Sequence, residues 1–120
     1  PLQLLSPKSR ARTHSIHGNQ PVLERADRDD VWVHPADAAA RGIVDGQQVR
    51  VFNDRGATVM PVRVTDRIRP GVVCIKDGAW FTPGEDGADT RGCCNVLTAD
   101  RSAPSGASTF NSNFVEIAPA

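Results

Sequence analysis

The residues best suited to chemistry lie together near the start of the chain, in Ser6-Pro7-Lys8-Ser9-Arg10-Ala11-Arg12-Thr13-His14-Ser15. This decapeptide holds three basic side chains, four hydroxyls and one imidazole, with no acid to balance them. Lys8, Arg10 and Arg12 alternate, so an extended backbone would turn all of them to one face. Arginine offers a planar fork to phosphate oxygens, and the hydroxyls of Ser6, Ser9, Thr13 and Ser15 both donate and accept. Such a set suits phosphate groups and polar heterocycles. The ordinary alternative is a solvated basic arm, and composition leaves the two open.

Other constellations fall short. His14 and His17 make an H-x-x-H without helical context, and the adjacent Cys93-Cys94 lacks the spacing of a structural zinc site. No metal ligands are therefore expected. Cys74, Cys93 and Cys94 are odd in number and define no disulfide framework, so three free thiols are expected. No neighbour in sequence supplies a base to activate them, and no G-x-G-x-x-G, G-x-x-x-x-G-K-[ST] or G-x-S-x-G run occurs. The chain reads poorly as a self-contained enzyme, with no catalytic residue to nominate. Trp80-Phe81 lies in a polar Gly/Pro-rich stretch, where an aromatic pair either plugs a barrel end or faces a ligand. Asn95, where order resumes, either caps local backbone or reads a heterocycle edge with its amide.

The elements that must position these groups follow from turn signals and short apolar runs. "DVWVHP" reads as a strand ended by Pro35, and "HPADAAARG" as a short helix opened by Pro35 and stopped by Gly42. After the Asp45-Gly46 turn, "QQVRVFN" is a strand with Val49 and Val51 on one face. Asn53-Asp54-Arg55-Gly56 is a hairpin loop that places Gly56 at positive φ. "ATVMPVRVTD" is a long strand, Met60, Val62 and Val64 opposite Val59, Pro61 and Arg63, with Pro61 marking a bulge or an edge. "VVCI" is a buried strand, "NVLT" a brief strand or helix start, and "FVEIA" the last strand. Between them run two long loops, from Lys76 to Cys94 and from Ala99 to Asn113. Six or so strands with one helix predict a small, mainly β barrel. "GIVDGQQVRV" and "DRIRPGVVCI" echo each other faintly, as a barrel of two similar halves would explain.

At 120 residues there is room for one domain and one core. Lys plus Arg and Asp plus Glu both number 14, so no broad basic face is available for nucleic acid. Hydrophobic content is 39% with only 5% aromatic, which predicts a core of Val, Ile, Leu and Ala. No apolar run approaches the ~20 residues of a membrane helix. A chain that begins at Pro1 reads as a piece of a longer protein.

Taken in order, "SPKSRARTHS", "VWVHPADAAARGIVDGQQVRVFNDRGATVMPVRVTDRIRPGVVCI" and "NVLT…FVEI" resemble the C-terminal domain of molybdopterin oxidoreductases of the dimethyl sulfoxide reductase superfamily. "HPADAAARGIVDGQQVRVFNDRG" is the phrase that carries most of the resemblance. It implies a double-psi β-barrel with one or two short helices and long loops. Residues 1–120 would then be a C-terminal fragment that binds molybdenum bis(molybdopterin guanine dinucleotide), shared with upstream domains of the same polypeptide. The family's cofactor loop maps onto Ser6, Lys8, Ser9, Arg10, Arg12, Thr13, His14 and Ser15; its aromatic onto Trp80, or Phe81 beside it; its pterin-reading amide onto Asn95. A polar residue before the last strand maps onto Asn111, where several relatives carry lysine, so an ionic contact there is weakened.

The resemblance further implies a parent enzyme that reduces S- or N-oxides in anaerobic respiration. An iron–sulfur cluster would lie elsewhere in that parent, since no C-x₂-C-x₃-C run occurs here. Its partners would be an iron–sulfur electron-transfer subunit and a membrane anchor subunit, at a periplasmic or membrane-associated location. The competing class is a free-standing double-psi barrel that turns its basic loop to a nucleotide or nucleic acid. An open reading frame starting near Pro1 would favour that class, and several hundred upstream coding residues the first.

Overall fold

The computed structural model describes all 120 residues. Strand β1 (Leu2–Leu5) leads through a long connection with helix α1 (Pro21–Ala26) into β2 (Val31–Val33). Helix α2 (Pro35–Ala40) follows, then the hairpin of β3 (Gln48–Phe52) and β4 (Ala57–Val64), then β5 (Val72–Cys74). A 3₁₀ turn (Cys94–Val96) interrupts the second long connection before β6 (Asn113–Pro119).

The six strands close in the order β1-β5-β2-β4-β3-β6, with β6 returning to β1. Two pairings are parallel, β1 with β5 and β2 with β4; the other four are antiparallel. Moving each strand of β1–β3 onto its counterpart in β4–β6 carries β1·β5 onto β4·β2, and β1·β6 onto β4·β3. The β2·β5 and β3·β6 pairs map onto themselves. This two-fold relation is that of the expected double-psi barrel. It corrects the faint sequence echo, which matched the approach to β3 with the approach to β5, strands the symmetry does not relate. What those stretches share is a left-handed glycine, Gly46 at φ 81° and Gly71 at φ 83°.

Alternation along the strands builds the core. Val31 and Val33, Val49 and Val51, Met60 and Val62, and Val115 and Ile117 point inward, joined by Leu2, Leu4, Val73, Ile75 and Leu97. The cluster contains no aromatic ring, as the composition predicted. Each such aliphatic side chain contributes roughly 1.5–3 kcal/mol on burial. Trp32 points outward instead, with the guanidinium groups of Arg63 and Arg67 both over its ring, at 5.4 and 5.2 Å. Helix α2 starts where expected, with His34 Nδ1 accepting from the Ala36 N–H and Pro35 in the first turn.

One local expectation needs correction. Gly56 does not adopt positive φ; it is glycine because a Cβ would lie 2.7 Å from the Val96 carbonyl oxygen. Helix α1 carries no signal that periodicity could register, since none of its residues is buried and Val22 is 68% exposed. Pro61 lies opposite Gln48 of β3, but on its other edge it sits in a gap in pairing. On one side of it Val59 donates to the Asp89 carbonyl, and on the other β2 takes over from Val62. A residue without an N–H is harmless there.

The loop after β5 is anchored by one carboxylate. Asp89 has no exposed surface, and its Oδ2 accepts from Thr58 Oγ1 at 2.6 Å, Gly92 N at 2.7 Å, Cys93 N at 2.8 Å and Arg91 N at 3.1 Å. Its Oδ1 accepts from Thr82 N at 2.9 Å. Burial pushes this carboxyl up, but the Thr58, Thr82, Cys93 and Arg91 donors outweigh burial and hold it below its ordinary value.

Replacing Thr58 by Val removes a donor to a charged acceptor, and denaturant unfolding should show a loss of about 2 kcal/mol. A carboxyl with a lowered folded pKa contributes stability that is complete above its unfolded value, near 4, and is lost as pH falls through the folded value. The unfolding midpoint should therefore drop as pH is lowered from about 4, and Asp89→Asn should flatten that slope; an identical slope in the variant would refute the assignment.

Candidate functional site

Because β1 and β5 are parallel neighbours, with Leu5 opposite Cys74, their chains leave the barrel side by side at the same end. The basic loop after β1 and the loop after β5 are thereby forced together. Asp77 N donates to the Pro7 carbonyl, Lys8 Nζ lies 2.5 Å from Asp77 Oδ2, and Trp80 Nε1 donates to the Ser15 carbonyl at 2.7 Å. Gly78, at φ 90°, lies so close that a Cβ would fall 1.9 Å from the His14 carbonyl oxygen. The loop before β6 joins through Asn111, whose Oδ1 accepts from Ser6 N at 2.9 Å. The hydroxyl of Ser6 is buried without a hydrogen-bond partner and lies near the thiol of Cys94, the residue before Asn95. The candidates from three separate stretches of sequence thus converge on one barrel end.

They divide into groups engaged within the chain and groups left open. Lys8 pairs with Asp77. Ser9 Oγ donates to Asp27 Oδ2 at 2.7 Å. Arg12, only 6% exposed, donates to Asp29 Oδ2 at 2.8 Å and to the Asp77 carbonyl at 2.9 Å, leaving its Nε buried without a partner. Lys8, Arg10 and Arg12 therefore do not share a face, because the backbone leaves the extended form after β1 and Arg12 turns inward.

Arg10 has no acid partner, and the hydroxyls of Thr13 and Ser15 bond to nothing in the chain; all three residues are exposed. The N–H groups of Arg12, Thr13, His14, Ser15 and His17 likewise have no acceptor in the chain. His14 and His17 are the non-glycine residues at positive φ, 53° and 75°. Successive unpaired amides in such a turn are the donors that an anion-binding nest would use. His14 Nδ1 lies 3.4 Å from Lys8 Nζ.

Trp80 and Phe81 are 45% and 56% exposed, so neither plugs the barrel. The indole of Trp80 lies against Gly18, where a Cβ would meet it at 3.0 Å. Asn95 is exposed and its amide caps no backbone group. It stands on a turn that the β3–β4 hairpin grips, since Asn53 Nδ2 and Arg55 Nε both donate to the Leu97 carbonyl, at 2.7 and 3.1 Å.

Beneath the loop, Asp27 forms an ion pair with Lys76 and accepts from Ser9 Oγ and Arg10 N. Burial would push its carboxyl up, yet Lys76, Ser9 and the Arg10 N–H bring it down to about 2. The thiols are free, and burial pushes all three up, Cys74 to about 11, so none is a thiolate near neutral pH. No group of three or more His, Cys, Asp or Glu side chains is placed to hold a metal ion. Asp27, Asp29 and Asp77, which hold the loop, escaped the reading of the sequence. The acids in "ADRDD" and "KDG" signal nothing until the fold sets them beside Ser9, Arg12 and Lys8.

The family model described as Molydopterin dinucleotide binding domain matches residues 2–114. The dimethyl sulfoxide reductase DmsA of Haemophilus influenzae is 45% identical over 118 residues, which are 98% of this chain and 15% of that protein. DmsA of Escherichia coli K12 is 46% identical over 104 residues, 87% of this chain and 13% of that one. The trimethylamine-N-oxide reductase of H. influenzae is 39% identical over 108 residues, 83% of this chain and 13% of that protein. Acetylene hydratase from Pelobacter acetylenicus superposes with a TM-score of 0.82 at 16% identity, over 100% of this chain and 18% of that one, a likeness of fold alone. The chain thus spans less than a sixth of the curated relatives just described. It belongs to the molydopterin dinucleotide binding domain family, of the dimethyl sulfoxide reductase type.

Proposed function

We propose that this chain is the cofactor-binding domain of a larger molybdenum oxidoreductase that reduces S- or N-oxides, and that it holds part of a bis(molybdopterin guanine dinucleotide). The observation that carries this reading is the loop of residues 6–17, with its unpaired amides, the free Arg10 guanidinium and the free Thr13 and Ser15 hydroxyls at one barrel end. A pyrophosphate-bridged dinucleotide calls for clustered N–H donors, a cation and hydroxyls, and for an amide at its heterocycle edges. These residues fit that description.

The roles then divide. Arg10, the amides of residues 12–15, Thr13, Ser15 and His14 face phosphate and pterin, Asn95 reads a heterocycle edge, and Trp80 offers the ring face turned away from Gly18. Ser6, Lys8, Ser9, Arg12 and Asn111 act through the backbone they hold, and Ser6 also through its unpartnered hydroxyl. When bound, the molybdenum group would supply two-electron oxygen-atom transfer, and this domain would bind, orient and shield it. The iron–sulfur cluster, the electron-transfer subunit and the membrane anchor subunit belong, on this reading, to the rest of the enzyme. With Lys8 and Arg12 each paired to an acid, the loop offers no basic stripe to a nucleic acid.

The division is testable in the full-length polypeptide. Arg10→Ala should lower its molybdenum and guanine content several-fold while leaving the unfolding free energy within about 0.5 kcal/mol. Arg12→Ala should lower both, the stability by about 2 kcal/mol; this is less than for a fully buried pair, because Asp29 keeps 18% of its side chain in water. Full cofactor content in an Arg10→Ala/Thr13→Ala/Ser15→Ala triple variant would refute the proposed site.

A further inference from the structure

A carboxylate placed directly beneath an anion-binding loop should oppose binding, and Asp27 is so placed. It bonds the side chain of Ser9 and the N–H of Arg10, one residue from the Ala11 N–H that Ser9 Oγ accepts. Its own side chain is 12% exposed, and the Lys76 ammonium against it is 11% exposed. Lys76 comes from the chain leaving β5 and is fixed a second time by the Arg28 carbonyl at 2.6 Å. No other charged side chain bonds to either group. Asp27 also ends helix α1, its N–H donating to the Leu23 carbonyl, so the carboxylate is held from both sides.

We propose that Asp27 and Lys76 form a charge-cancelling seat under the cofactor loop: Asp27 positions Ser9 and the Arg10 backbone, and Lys76 conceals the carboxylate's charge from the anion bound above. The inference rests on the proposed cofactor site and assigns both residues a positioning role. Two opposite charges at contact distance look like a dipole from the far side of the loop, and a dipole's field falls faster with distance than that of either charge. Removing one partner leaves the other acting alone, and its effect on an anion held at the exposed residues of the loop is attenuated as salt rises.

The two single variants must therefore act in opposite directions on the same bound anion. Lys76→Met leaves an uncompensated negative charge under the loop, whereas Asp27→Asn keeps an acceptor for Ser9 and leaves a positive one. A role confined to packing predicts that both variants loosen the loop and that the double variant is no better than either.

The measurement is the rate at which guanine nucleotide leaves the purified, cofactor-loaded full-length polypeptide at 50 and 500 mM salt. Lys76→Met should release it about tenfold faster at low salt, with the excess shrinking at high salt. Asp27→Asn should release it more slowly than wild type at low salt and lose that retention as salt rises. The double variant should return to within about twofold of wild type, and Lys76→Arg should behave as wild type. Faster release in both single variants, with the same salt dependence, would overturn the seat. Arg10→Ala in the same assay separates the two failures. If its release rate is unchanged, the cofactor site itself is wrong; if it is faster while Lys76→Met and Asp27→Asn move together, only the seat is wrong.

Discussion

The fold depends on giving one buried carboxylate enough donors. The segment from Lys76 to Cys93 is rich in Gly, Asp, Thr and Pro and contributes few side chains to the apolar core. Such a segment would ordinarily cost more conformational entropy than its contacts return. Asp89 reverses this by gathering four backbone N–H groups and the Thr58 hydroxyl around itself, while its own N–H and C=O bond to Ala57 and Val59 of β4. The loop becomes in effect a short extra strand on the barrel. Its rigidity fixes where Trp80 stands and where Cys93 hands the chain to the turn bearing Asn95.

The same principle governs the basic loop with the signs exchanged. Overall neutrality, with 14 charges of each sign, is reproduced locally: Lys8 meets Asp77, Arg12 meets Asp29 and Lys76 meets Asp27. Exposed pairs of this kind are worth little, but Arg12–Asp29 and Lys76–Asp27 are largely out of water, where an unpaired partner is expensive. They specify one conformation of the loop. What pairing leaves over, Arg10, a run of amides and two hydroxyls, is the part of the loop that the proposed reading turns to an anion.

Much of this was legible beforehand because it follows periodicity. Val49 and Val51, or Met60 and Val62, alternate with outward residues, and Pro35, Gly42 and Asp45-Gly46 punctuate the chain. The candidate residues were legible as a set because basic and hydroxyl side chains crowd ten positions. Their division was not. Whether Arg10 or Arg12 faces solvent depends on Asp29 and Asp77, distant in sequence and unremarkable there. Helix α1 escaped because it buries no side chain, and Gly56 was assigned the wrong reason because Val96, which crowds it, lies forty residues on. Long-range contact, unlike periodicity, leaves no mark on a single sequence.

The two-fold relation explains why the candidate residues gather at one place on this barrel. The related parallel pairs, β1·β5 and β4·β2, each send two chains out together. After β4 and β2, those chains are the short turn 65–71 and helix α2, both closed against the barrel; Gly71 N donates to Asp37 Oδ2 and Thr65 N to the Val33 carbonyl. After β1 and β5, the exits carry residues 6–30 and 75–112, which hold every candidate residue. Parallel neighbours deliver consecutive loops to one end of a sheet, and that end is where ligand sites form in open α/β sheets. The closed barrel obeys the same geometry. One of its two parallel exits is kept short and supports the fold, and the other has grown into the surface available for binding.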